Sequence, residues 1–266
     1  LKASTAILPH FLKGNTMFKS KALLSVSSDA KTVKGESIGF LTGILYLAPA
    51  TTTKWNTCSM AKIAQCDSAC LYSAGRGAFS SVQQARINKT IWFFEDRNSF
   101  MQQLVVDIAK IIKKAKKQGL QPLIRLNGTS DIRWETVSFT YGEGTEYVNI
   151  FAAFPDVQFY DYTKDVNRKD LPANYDLTFS DSGVQGFQPY VQLAIAKGMR
   201  IASVFRKEQE IPETHRGLEV VSGDNSDVRH LDAKGIVVAL YAKGKAKLDQ
   251  SGFVFDRKVI PIQAIA

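Results

Sequence analysis

All three cysteines of the 266-residue chain, Cys58, Cys66 and Cys70, fall within 13 positions in the spacing C-x7-C-x3-C. Structural cysteines behave as small apolar residues and are usually spread through a core, so this concentration points to a local role for the thiols. Three soft donors on one loop suit an iron–sulfur cluster or zinc. Structural zinc takes four protein ligands, and the three histidines, His10, His215 and His230, are all distant in sequence; none is assigned to metal. Three thiolates can instead hold a 4Fe-4S cluster and leave one iron open to a substrate or cofactor. Zinc with a remote fourth ligand, and plain structural or redox-active thiols, are the alternatives.

The residues after the cysteines add a second feature. In Leu71-Tyr72-Ser73-Ala74-Gly75-Arg76-Gly77 the glycines let the backbone approach a ligand near a helix start, and Arg76 offers a guanidinium to a carboxylate or phosphate. The plainer reading is a flexible entry into a helix.

These groups need a frame. The cysteine loop lies between an apolar run at Ile38–Tyr46, which reads as a buried strand entering Pro49 and a Thr-rich turn, and a predicted helix over Ala78–Trp92. A second helix is clearer. Phe100, Met101, Leu104, Val105, Ile108, Ile111, Ile112 and Ala115 recur at helical spacing, with Ser99 and Gln102 as a capping box and Gly119 as the stop. Its lysines at 110, 113, 114, 116 and 117 read as a solvated face near the favourable end of the helix dipole.

Five further apolar runs, Pro122–Asn127, Val157–Tyr162, Tyr175–Ser180, Arg200–Phe205 and Ile236–Tyr241, read as strands, and Tyr190–Lys197 closed by Gly198 reads as a helix between two of them. Six strands in mostly β-helix-β order predict an α/β fold with a parallel sheet buried on both faces. A doubly wound sheet and a partial (β/α)6 TIM-like barrel both satisfy that order. In either, functional residues belong at the C-terminal strand ends. The expected organisation is an N-terminal extension over 1–36, the partial barrel with its cysteine loop over 37–246, and a C-terminal extension over 247–266.

Those strand ends would gather Arg125, Asn127 and Asp131, then Asp161, Thr163 and Lys164, then Ser180 and Ser182, then Arg206. Asp131 and Asp161 suit hydroxyl or amino groups, and Lys164 and Arg206 suit carboxylate or phosphate. Together with Arg76, Asn127 and Ser180 they form the expected cofactor-binding set; helix caps and salt bridges are the competing reading for each. Asp224, Asp227, Arg229 and Asp232 precede the last strand, where they would bind a divalent cation or, more simply, organise a turn.

Composition sets the outer limits. A hydrophobic fraction of 45% permits a full core. With 34 Lys and Arg against 25 Asp and Glu, the charge of +9 draws the chain toward polyanions, so nucleic acid or a nucleotide is the expected partner. No run approaches the roughly 18–20 apolar residues of a membrane span, nothing at the start reads as a secretion signal, and an odd, clustered set of cysteines fits a reducing compartment such as the cytoplasm.

The cysteine motif with Tyr72 and Gly75-Arg76, the run Ile124-Arg125-Leu126-Asn127-Gly128-Thr129-Ser130-Asp131, and Phe159-Tyr160-Asp161-Tyr162-Thr163-Lys164 together resemble the phage and plasmid family called gene product 88. So do Ser222-Gly223-Asp224 through Asp227, Arg229 and Asp232 to Lys243-Gly244. The similarity covers roughly residues 38–246 and implies a phage-encoded protein in an infected bacterial cytoplasm, but it brings no activity with it. The layout is also similar to the radical S-adenosylmethionine (SAM) enzymes, whose partial six-stranded barrels hold a 4Fe-4S cluster by three cysteines after the first strand. That likeness implies SAM on the open iron, with Asn127 to Asp131 near its amino group, and an iron–sulfur enzyme acting on a nucleotide, nucleic acid or peptide. The spacing departs from the C-x3-C-x2-C of that family, which puts SAM cleavage in doubt. The competing expectation is a phage nucleic-acid-binding or replication-associated protein whose cysteine loop is structural, with or without zinc.

Overall fold

A computed structural model describes residues 22–27 and 30–256; His10, the rest of the first 21 positions and the end of the expected C-terminal extension lie outside them. In chain order the strands are β1 (Leu24–Val26), β2 (Phe40–Leu45), β3 (Gln121–Arg125), β4 (Phe139–Tyr141), β5 (Thr145–Tyr147), β6 (Gln158–Thr163), β7 (Tyr175–Ser180), β8 (Arg200–Phe205), β9 (Thr214–His215), β10 (Leu218–Ser222) and β11 (Val237–Tyr241). The helices are α1 (Ala30–Glu36), α2 (Ala61–Ala64), α3 (Ser80–Glu95), α4 (Arg97–Gln118), α5 (Ile150–Ala153) and α6 (Gln188–Ala196).

Nine strands form one sheet in the order β1-β2-β3-β6-β7-β8-β11-β10-β9, and β4 pairs with β5 in a separate hairpin. From β2 through β11 and on to β10 all neighbours run parallel; β1 and β9 pair antiparallel at the two edges. The fold is therefore mixed α/β with a large, mostly parallel sheet. Each of the six predicted apolar runs overlaps one of the parallel strands, because a strand covered on both faces must be apolar nearly throughout. The edge strands β1 and β9, and β10 beside β9, lie outside those runs.

From β2 to β11 each strand lies beside the previous one of the six, so the crossovers step one way across the sheet. Right-handed crossovers then put their helices on a single face. On that face Leu41 and Leu45 of β2, Ile124 of β3 and Phe159 of β6 pack with the buried stripe of α4, including Phe100, Leu104, Ile108 and Ile111. Phe93, Phe100 and Trp134 extend this core through ring contacts at 5.0 and 5.4 Å, and burying each large side chain contributes about 1.5–3 kcal/mol.

The other face is covered differently. Residues 224–235 lie across it: Val228 packs with Leu123 and Tyr160, Asp227 takes Arg125 at 3.0 Å and the Tyr160 hydroxyl at 2.8 Å, and Arg200 donates to the Asp232 and Ala233 carbonyls. Of the charged cluster before the last strand, Asp227 thus ties the segment to the sheet, Arg229 pairs with Asp232 within it, and Asp224 pairs with Lys243 at 3.6 Å. Two local expectations also shift. The cap of α4 is Asp96, whose carboxylate accepts from the Ser99 N–H, rather than a box begun by Ser99, while Gly119 does close the helix in the left-handed conformation. The lysines at 110, 113, 114, 116 and 117 are exposed.

Candidate functional site

The cysteine loop lies over the C-terminal ends of the parallel strands, and identifiable bonds hold it there. Asp131 N–H, after β3, donates to Thr57 O at 2.8 Å. The Ser182 hydroxyl, after β7, donates to Ala64 O at 2.8 Å, and the Ser251 hydroxyl donates to Gln65 O at 3.2 Å. Beyond β11, Gly244 lies so close to Ala74 that a Cβ there would sit 3.0 Å from the Ala74 Cβ. The loop after β3 is equally tight: a Cβ on Gly128 would lie 2.7 Å from Leu45 O and 2.6 Å from the Tyr46 ring, so only glycine lets this loop cross the end of β2.

The three thiols share this region but not a common centre. Cys58 Sγ lies 3.8 Å from Thr129 O and from the Thr57 hydroxyl, Cys66 Sγ lies 3.9 Å from Ala61 O, and Cys70 takes a backbone hydrogen bond from Tyr72. Among the described residues no group of three or more His, Cys, Asp or Glu side chains is placed to hold a metal ion. Burial pushes the Cys58 thiol up to about 12 and raises Cys66 and Cys70 as well, so the free thiols are neutral near pH 7. The expected 4Fe-4S cluster on Cys58, Cys66 and Cys70, the SAM on its open iron, and the iron–sulfur enzyme built on them are therefore corrected, and zinc in this loop falls with them. Sequence proximity brought the sulfurs onto one loop, but the loop directs each at its own backbone neighbour.

The polar residues at the strand ends do converge, yet they bind one another. Asn127 Oδ1 accepts from the Ser130 hydroxyl, Ile132 N–H and Trp134 Nε1 at 2.9–3.0 Å, and its Nδ2 donates to Ile132 O. Asp131 accepts from Lys164 N–H at 2.8 Å and pairs with Arg168 at 2.7 Å; Arg168 also reaches Glu135 at 2.9 Å. Asp161 is buried and accepts from Asn127 N–H at 2.7 Å and the Tyr175 hydroxyl at 2.9 Å. Burial raises its carboxyl to about 7, although Arg125 and these donors pull the other way. Lys164 Nζ donates to Ser180 O, the Ser180 hydroxyl and Asp181 O at 3.0–3.1 Å and lies 4.7 Å from the Phe253 ring centre; burial lowers the pKa of its ammonium. Arg206 pairs with Asp256 at 2.7 Å. Arg76 alone of this set is exposed, on the turn Gly75–Ala78.

Two arrangements escaped the sequence reading. Asp181 is buried between Arg216 at 3.0 Å, the Ser203 hydroxyl at 2.8 Å and His215 at 3.4 Å. Burial alone would raise its carboxyl, but His215 and Arg216 outweigh that and hold it below the usual range. Arg86 of α3 is buried with its guanidinium carbon 4.8 Å from the Tyr46 ring centre and 5.4 Å from that of Tyr72. No sequence signal marked Arg86, because helical spacing gives the core face of α3 only weakly.

The family model described as Gene product 88 matches residues 17–257, and the chain belongs to that family. No curated protein and no solved structure matches it. Among the described residues no helix is long and apolar enough to cross a membrane.

Proposed function

We propose that this protein binds single-stranded nucleic acid along the C-terminal rim of its sheet. The observation that carries the reading is the packing of the turn Gly244–Leu248 against the segment Leu71–Ala74, which leads into the turn Gly75–Ala78. It unites Lys243, Lys245 and Lys247 with Arg76, and beside them Phe79, Leu71 and Leu248 are 61%, 52% and 82% exposed. Cations beside exposed apolar side chains suit a single strand, whose phosphates take the charges, with a base stacking on the Phe79 ring and the leucines giving apolar contact. The net charge of +9 supports the same partner, and three free thiols support a reducing compartment such as the cytoplasm. One-directional winding, with a polar segment filling the second face, supports reading the sheet as a partial six-stranded barrel of the radical SAM architecture, without that family's chemistry.

The test is fluorescence anisotropy with a labelled single-stranded oligonucleotide of about 20 nucleotides. Four phosphate contacts predict a salt slope of about −3 in log K against log salt. Arg76→Ser/Lys245→Ser/Lys247→Ser should weaken binding and flatten the slope, while Lys113→Ser/Lys114→Ser/Lys117→Ser on α4 should leave both unchanged. Absence of binding at low salt, or loss through the α4 variant alone, overturns the proposal.

A further inference from the structure

Arg168, Arg200 and Arg229 are buried and each meets a carboxylate, at 2.7, 2.6 and 2.8 Å. Arg86 is buried to 8% exposure yet has no such partner among the described residues. Its Nη1 donates to Tyr72 O at 3.2 Å, its buried Nε has no hydrogen-bond partner, and the two tyrosine rings flank the guanidinium. The turn carrying Gly75 and Gly77 is fitted to it: a Cβ on Gly77 would stand 3.2 Å from both Nη1 and Nη2 and 2.4 Å from Tyr72 O. A guanidinium removed from water without an anion is costly, and aromatic faces recover only part of that cost. What the seat lacks is negative charge.

Three observations define the missing group. Arg76 stands on the adjoining turn Gly75–Ala78, while Lys89, one turn further along α3, is engaged by the Leu23 carbonyl at 2.7 Å and by Asp107; a second cation near the seat favours a dianion. A planar guanidinium matches phosphate oxygens two at a time. A terminal monoester carries nearly two charges and three free oxygens, whereas an internal phosphodiester carries one charge and two free oxygens.

We propose that Arg86, between Tyr46 and Tyr72, is a seat for a terminal phosphate monoester, which at the proposed rim is the end of a nucleic-acid strand. This rests on the reading of the rim as a strand-binding surface. The seat itself can be tested independently of that reading.

The experiment compares one oligonucleotide with a 5′-phosphate, with a 3′-phosphate and with neither, against the full chain and its Arg86→Met and Arg86→Lys variants, alongside thermal melting with inorganic phosphate. One phosphorylated end should bind about tenfold tighter than the unphosphorylated strand, a charge-assisted contact that Arg86→Met abolishes and Arg86→Lys retains in part. Without ligand, Arg86→Met should melt no lower than the parent, because an unpaired buried charge is removed; a purely structural arginine would show a clear fall. Strand binding that ignores both end phosphates overturns the seat and leaves the rim. If phosphate raises the melting temperature through Arg86 and no oligonucleotide binds, the seat takes free phosphate and the strand-end proposal is overturned.

Discussion

Replacing Asp161 by Asn should remove a defined part of the pH dependence of stability. The carboxyl rises from 3.8 to about 7 in the fold, first because it is buried. A folded pKa above the unfolded one means that the native state holds the proton more tightly. The stabilisation is complete below the unfolded pKa and is lost as pH rises through about 7. A shift of about three units is worth about 4 kcal/mol in all, of which about 2–3 kcal/mol falls between about pH 5 and about pH 8. Asn copies the protonated acid: its carbonyl can still accept from Asn127 N–H, and its amide can donate to the Tyr175 hydroxyl. Urea unfolding of both chains at the two pH values gives a double difference in which the other titrating groups cancel. The parent should lose about 2–3 kcal/mol more than Asp161→Asn on going to the higher pH. Equal losses in the two chains would refute the claim that burial governs this carboxyl.

Arg168→Met should cost about 3–5 kcal/mol in the same urea assay, because it leaves Asp131 and Glu135 buried without their shared cation. Gly128→Ala should cost about 1–3 kcal/mol and speed proteolytic cleavage after β3, since its methyl group would meet Leu45 O and the Tyr46 ring; an unchanged midpoint would contradict the close crossing. At about pH 8 a Cys58 thiol raised from 9.0 to about 12 holds about a thousandfold less thiolate than a free thiol. Timed iodoacetamide labelling read by mass spectrometry should therefore find Cys58 far slower than a peptide cysteine, and equal rates would show that burial does not control it.

Much of the frame was legible because its signals are local. Phe159 and Tyr160 both had to be apolar, since one faces α4 and the other the 224–235 segment, so β6 reads as a continuous run. The stripe from Phe100 to Ala115 gave α4 for the same reason. The edge strands were illegible: β1 and β9 are three and two residues long, too short for any period to appear. At the site, Asn127, Asp131 and Lys164 follow β3 and β6 while Asp161 lies within β6, and residue type could not tell whether their partners would be ligands or one another.

That division has one physical cause. Burial against a sheet is written into every strand and helix as a pattern of apolar residues, so the amino-acid order alone determined the parallel strands, the main helix and the basic charge. Hydrogen bonds and ion pairs instead join residues tens of positions apart, as Arg168 joins Asp131 and Arg125 joins Asp227. Only the folded chain could decide that the three sulfurs part company, that the strand-end carboxylates are already paired, and that Arg86 is buried with no carboxylate partner among the described residues.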